Sequence, residues 1–212
     1  MGGAGRARSS RRRGGRNVAI TGRILGIILG SALIAAQANA QWELNDSNSV
    51  INFVSVKNAS IAETHSFPVL MGYISEQGAV RVSIDLNSVE TLIPIRNERM
   101  RKMLFNTAKF PAAKVSAEVD TEVLAEASRG GTVTTELPVN VSLHGVEQSV
   151  SVPVVVFSDS GHLRVMSSRP VLLRAEDFGL AAGVDALREV AGLSSISTAI
   201  PVTLNLQFRQ AE

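Results

Sequence analysis

Three observations predict an all-β fold of antiparallel strands. Across residues 80–86 apolar and polar side chains alternate without a fault, placing Val80, Val82, Ile84 and Leu86 on one side and Arg81, Ser83 and Asp85 on the other. The same period of two returns at Leu137, Val139, Val141 and Leu143, at Val150, Val152, Val154 and Val156, and at Val202, Leu204, Leu206 and Phe208. Between the second and third of these runs stands His144-Gly145, a pair that tolerates the positive φ a tight hairpin needs, so His144 reads as a turn residue.

Taken in chain order, the first segment is not part of that fold. Residues 1–40 carry seven arginines (Arg6, Arg8, Arg11, Arg12, Arg13, Arg16, Arg23), no acid, an apolar stretch over 24–36, and the small-residue ending Ala38-Asn39-Ala40. That is the layout of a secretory signal peptide cleaved after Ala40, which makes residues 41–212 a periplasmic domain. Thirteen apolar residues fall short of the roughly 20 a helix needs to cross a bilayer, so no stable membrane anchor is expected after cleavage. Arg11-Arg12 is a poor twin-arginine signal, because Arg13-Gly14-Gly15-Arg16 follow where that signal turns apolar. With no cysteine, neither a lipidated N-terminus nor a disulfide is available.

The strand candidates then run 50–56, 65–74, 80–86, 113–119, 137–143, 150–156, 162–173 and 202–208, eight in all with short connections. Two segments break the rhythm. Residues 95–105 place Met100, Met103 and Leu104 on one helical face, and residues 184–193 do the same with Val184, Leu187 and Ala191. Both are predicted to be short helices, stopped near Phe110-Pro111 and Gly192. A sheet with one apolar face must pair with a second sheet or close on itself, and periodicity fits both outcomes.

Charge narrows the partners. Without the leader arginines, 14 basic side chains face 19 acidic ones, a net charge of −5, which gives nucleic-acid binding no support. The three histidines, His65, His144 and His162, have no second ligand at metal-site spacing, so neither metal nor other cofactor is expected. No Gly-x-Ser-x-Gly elbow is present, and Asp177-Phe178-Gly179 lacks the glycine-rich loop of a kinase, which leaves it a structural turn. Arg96, Arg99, Arg101 and Lys102, relieved by Glu98, form the one basic concentration after the leader. Such a run is ordinarily a solvated helix face.

Several pieces together resemble the YceI family of lipocalin-like periplasmic proteins. Trp42-Glu43-Leu44 with Ser49-Val50-Ile51-Asn52-Phe53 is similar to the family's first strand, and residues 82–91 to its strand leading into a Ser-x-x-Thr corner. Residues 96–100, Leu104-Phe105 and Phe110-Pro111 resemble its arginine-initiated helix and the step after it. Leu143-His144-Gly145-Val146 resembles its hairpin and Asp177-Phe178-Gly179-Leu180 its late turn. The pieces keep the family's order over residues 42–208. The chain departs from the pattern at Asn48 and Val56-Lys57-Asn58, where members often carry histidines, at Arg174, which lies three residues before Asp177 instead of two, and in lacking a tryptophan after the turn.

The resemblance implies a closed eight-stranded antiparallel lipocalin-like barrel, with one or two short helices near its mouth, and a non-enzymatic carrier for an isoprenoid-like or other long-chain apolar lipid. Phe53, Val82, Ile84, Leu86, Val139, Val141, Leu143, Val152, Val154, Leu204 and Leu206 are then the expected pocket lining. Arg96 and Arg99 become the expected collar for an anionic head, since guanidinium groups bind phosphate oxygens bidentately. Other readings stay open: a ligand-free barrel acting on another envelope protein through its outer surface, or an enzyme acting on such lipids. Oligomeric state is open too, with a homodimer among the outcomes.

Overall fold

Eleven strand segments, all antiparallel, merge into eight staves. In the computed structural model, which describes residues 40–211, they are β1 (Ala40–Leu44), β2 (Val50–Lys57), β3 (Ile61–Phe67), β4 (Leu70–Ser75), β5 (Ala79–Asp85), β6 (Ala112–Glu118), β7 (Thr132–Leu143), β8 (Val146–Asp159), β9 (His162–Ser167), β10 (Val171–Arg174) and β11 (Ala199–Gln210). The expected leader cleavage falls on residues that lie outside those described, apart from Ala40 itself.

β11 pairs with β1 through Phe208–Gln210 and with β2 through Val202–Asn205, while β4 pairs with β1 and β3 with β2. β1 and β2 are thus one stave with a break, as are β3 and β4, and β9 and β10. Two of the breaks contain proline, Pro68 and Pro170, which cannot donate to a ladder. At the third, the chain turns through Asp46–Asn48, and Ser49 Oγ donates to Asn45 O at 2.6 Å and accepts from Gln207 N at 2.9 Å. Every stave pairs with its neighbour in sequence, and β11 returns to the first. The result is the closed up-and-down barrel of eight, in which no sheet edge is left along the ring.

The hairpin joining β7 to β8 has Leu143 opposite Val146, with His144 at φ +54 and Gly145 at φ +81. Positive φ at both central residues is the turn whose twist matches that of the strands. Phe110 covers it, its ring 4.7 Å from that of His144, and a Cβ on Gly145 would stand 2.9 Å from the Phe110 ring. Gly179 is left-handed at φ +66 and Phe178 is buried, so Asp177-Phe178-Gly179 is a structural turn.

Helices close both ends. At one end, α1 (Pro94–Arg99) begins on a proline, whose missing N–H is not needed in a first turn, and runs into a π-helical segment, Met100–Phe105, that ends on left-handed Asn106. α3 (Ala181–Val190) packs against that segment. These are the two helices near the mouth that the sequence predicts, although the second starts three residues earlier than the apolar spacing places it.

The opposite end holds a helix the sequence reading missed, α2 (Thr121–Ser128), which packs on β7 and β8 and buries Leu124 and Ala127. Its signals are present: Asp120 accepts from Glu122 N at 2.9 Å as an N-cap, and left-handed Gly130 follows its end. Among the described residues no helix is long and apolar enough to cross a membrane.

Candidate functional site

The barrel is filled in one half and hollow in the other. Towards α2 the interior is occupied by Trp42, Ile74, Ala117, Val139, Val152, Val154, Val156, Leu163, Leu206 and Phe208, all buried. Towards α1 and α3 the strands carry Ile51, Phe53, Phe67, Ile84, Ala113 and Val141, which surround a cavity of about 150 Å³. Leu86, Leu104, Phe105, Phe178 and Val184 roof it, and its wall is apolar throughout, Arg174 contributing only its stem.

A second cavity, about 320 Å³, adjoins the first. Phe53, Leu104, Val184 and Ile200 line both, so they form the partition between an inner apolar chamber and an outer one. The outer chamber is walled by Ile93, Ile95, Leu187, Val190, Leu193 and Ile196 from the mouth segments, and it holds the polar groups Ser55, Lys57, His65, Arg96 and Arg99.

Four of these polar groups fall into two hydrogen-bonded sets, Lys57 and Arg96 joined through Glu63, and Ser55 with His65. Glu63 Oε2 accepts from Arg96 Nη1 at 2.5 Å and pairs with Lys57 Nζ at 2.7 Å. Arg96 Nη2 donates to Thr91 O at 2.7 Å. The Lys57 hydrogen bond is the main influence holding the Glu63 carboxyl below its ordinary pKa; burial opposes it and Arg96 assists. His65 shares a 2.8 Å hydrogen bond with Ser55 Oγ through Nε2 and lies 5.1 Å, ring to ring, from Phe53. Burial is the first cause of its lowered pKa, with Arg96 and Lys57 adding to it and Glu63 opposing. His65 is therefore a neutral imidazole at neutral pH.

Two atoms here are buried without a hydrogen-bond partner, His65 Nδ1 and Arg96 Nε. An unpaired buried polar atom costs roughly 1–3 kcal/mol, and two on the residues of one chamber mark it as a place where a polar ligand group would be stabilised. Arg99 also lines this chamber and makes no ion pair among the described residues.

The expected pocket residues divide between the two halves. Phe53, Ile84, Leu86, Val141 and Leu143 line the hollow half, while Val82, Val139, Val152, Val154 and Leu206 are buried away from both chambers and Leu204 is half-buried against the core. Arg96 and Arg99 both line the outer chamber, and Arg96 is already engaged by Glu63. Sequence reasoning did not single out His65, Ser55, Lys57 or Glu63 as members of a site. The alternation Ser55, Lys57 and Glu63, His65 on paired strands was the available signal, since it places four polar side chains on an inward face. A larger groove of about 450 Å³ lies on the barrel's outside over Gly72, flanked by Arg81, Lys114 and Asn140, and has no connection to these chambers. Among the described residues no three His, Cys, Asp or Glu side chains cluster as a metal site would require.

Residues 42–208 match the YceI-like domain family. The structure is similar to that of a polyisoprenoid binding domain from Saccharophagus degradans implicated in plant cell wall breakdown, at 36% identity and a TM-score of 0.79, covering 82% of this chain and 100% of that one. It also shares its fold with BcnA of Burkholderia cenocepacia, at 16% identity and a TM-score of 0.62, covering 77% of this chain and 98% of that one. No curated protein matches the chain.

Proposed function

The chain belongs to the YceI-like domain family, and from that premise we propose that it is a periplasmic, non-enzymatic carrier that sequesters an isoprenoid-like or other long-chain apolar lipid in the hollow half of its barrel. The observation that carries this reading is the inner chamber, a space walled only by apolar atoms in a barrel whose other half is packed. An empty apolar space forfeits dispersion contacts along its lining, and an alkyl or prenyl chain restores them. Each methylene moved from water into such a site contributes about 0.8 kcal/mol, so a chain of modest length binds without any reactive group. The likeness to a domain described as polyisoprenoid binding supports the prenyl class among apolar chains.

The outer chamber suits the polar end of that lipid. With one carboxylate, Glu63, against Lys57, Arg96 and Arg99, and His65 neutral, the chamber offers hydrogen bonds from Arg96 and His65 and an excess of positive charge that includes Arg99, unpaired among the described residues. Export by the arginine-rich leader would bring the protein to the periplasm, where lipids in transit between membranes need shielding from water.

The test is to purify the protein from its own periplasm without detergent, extract it with organic solvent and identify what is released by mass spectrometry. One lipid with a long apolar chain, recovered near one per barrel, is the expected result. Lipid-free protein that also fails to take up prenyl or alkyl probes would overturn the carrier reading in favour of an outer-surface role.

A further inference from the structure

Among the described residues, five of the ten exposed large apolar side chains lie beside one opening, while Val69, Met71, Met103, Met166 and Leu172 lie elsewhere. Leu92 is 88% exposed, Ile95 53%, Ile61 49%, Val190 44% and Ile93 43%. Ile93, Ile95 and Val190 line the outer chamber, Leu92 adjoins Ile93, and Ile61 pairs across the sheet with Lys57, which also lines it. Single exposed apolar residues are ordinary on a protein surface; five around one opening are a patch.

The patch is built, not frayed. Leu92 sits at φ +62, a left-handed conformation that disfavours its branched side chain. Its N–H donates to Glu90 Oε1, and Thr91 donates both N–H and Oγ1 to Asn97 Oδ1 at 2.9 and 2.5 Å. Glu90 is itself held by backbone hydrogen bonds in both directions with Ser66. The loop is clamped in an arrangement that leaves Leu92 exposed to solvent.

Charge at the rim opposes charge elsewhere. Lys57, Arg96 and Arg99 line the opening with the carboxylates Glu63 and Glu90 beside them, three cations against two anions, whereas residues 41–212 carry a net −5. Of the carboxylates nearby on the helices, Glu98 is paired with Lys102, and Asp185 and Glu189 share Arg188, with Arg101 as a further cation on the same helical segment as Lys102. A cationic mouth on an anionic body turns that mouth towards a negative surface.

We propose that this rim docks the barrel mouth onto anionic phospholipid membranes, the apolar side chains entering the headgroup boundary while the cations meet lipid phosphates. The proposal rests on the carrier reading, for which it supplies the step in which cargo passes between bilayer and chamber without crossing water. A bilayer fits better than a protein partner because exposed apolar residues and the cations Lys57, Arg96 and Arg99 border the same opening, and apolar contact combined with basic side chains suits a reversible interfacial contact.

The experiment measures two things on the same protein: co-sedimentation with phosphatidylglycerol–phosphatidylethanolamine vesicles, and uptake of a dansylated farnesyl probe delivered on cyclodextrin. Leu92→Asn and Ile61→Asn, combined, alter neither chamber's lining nor the net charge, and asparagine tolerates the backbone of residue 92. The expected result is vesicle binding by the unmodified protein that weakens with salt and with replacement by phosphatidylcholine, a loss of tenfold or more in the double variant, and probe uptake within twofold in both. Unmodified protein that stays in the supernatant, or a double variant that sediments like it, would overturn the docking proposal while leaving the carrier reading intact. Binding confined to native envelope membranes and abolished by trypsin treatment of those membranes would overturn it in favour of a protein partner. Vesicle binding without probe uptake would instead overturn the carrier reading.

Discussion

His65 ties the outer chamber to pH. Its folded pKa lies below the ordinary 6.5, because burial disfavours imidazolium and Arg96 and Lys57 repel it. The unfolded chain therefore binds the proton first, so the stability gained from keeping His65 neutral is complete above about pH 6.5 and is lost as pH falls below it. Glu63 acts in a lower window: its folded pKa lies below 4.5, so its contribution is present above that value and disappears as pH drops through the folded one. Urea denaturation at a series of pH values should show a slope setting in below about pH 6.5 that His65→Gln flattens, and an unchanged slope would mean another group carries it. Glu63 also sets which head is accepted. Glu63→Gln releases Arg96 and Lys57, and should tighten binding of a fatty acid by roughly three- to tenfold while leaving the matching alcohol unchanged. Competition against a fluorescent acyl probe measures both. Arg96 was legible in the sequence as a candidate, but its partner was not, because Glu63 lies 33 residues away and meets it only once β3 is paired with β2.

The elements were read unevenly, and for identifiable reasons. Four staves follow from clean period-two patterning at 80–86, 137–143, 150–156 and 202–208; the other four are shorter or less regular candidates, and β1 lies outside all of them. The sequence reading ran residues 65–74 and 162–173 straight through Pro68 and Pro170, where the structure breaks each stave, and the inward phase changes across two of the three breaks, from Trp42 to Ile51 and Phe53 and from Phe67 to Leu70. α2 was missed because it is short and its apolar face amounts to Val123, Leu124 and Ala127, too few positions to show a helical period against strands on both sides. The mouth segments matter most to the site, and their packing turns on one residue. A Cβ on Gly183 of α3 would stand 2.8 Å from Met103 O and 2.9 Å from Leu104 Cα, backbone-dominated contacts that cannot rotate away. Gly183→Ala must push α3 off the π-helical segment, although alanine is the better helix former. The expected outcome is a loss of about 1–3 kcal/mol in chemical denaturation together with faster release of a bound fluorescent lipid. A variant as stable as the parent would show that the two segments separate freely.

At the scale of the whole molecule, the fold answers a question that patterning cannot. A side chain packed on its neighbours and one facing an empty chamber occupy the same phase of the same alternation, so Ile84 and Val154 look alike in the sequence. The structure separates them: Val154 is 2% exposed among Val152, Val156 and other packed core residues, whereas Ile84 borders the inner chamber beside Ala113, whose short side chain leaves part of that space open. A large residue therefore has different consequences at the two positions. Ile84→Trp has space to enter, so it should occupy ligand volume and reduce prenyl-probe uptake by at least tenfold at a stability cost below about 1.5 kcal/mol. Val154→Trp has none, because protein interiors are packed like organic crystals, and it should lower stability by about 3 kcal/mol or more or prevent folding. Parallel measurement of chemical denaturation and probe titration on both variants decides the matter. If Ile84→Trp is destabilised as severely as Val154→Trp, the chamber is closed by small shifts of its walls in solution, and the barrel has no room for a lipid along its axis. If the two separate as expected, one end of the barrel is a core that holds the fold and the other a cavity, both built from the same repeating pattern.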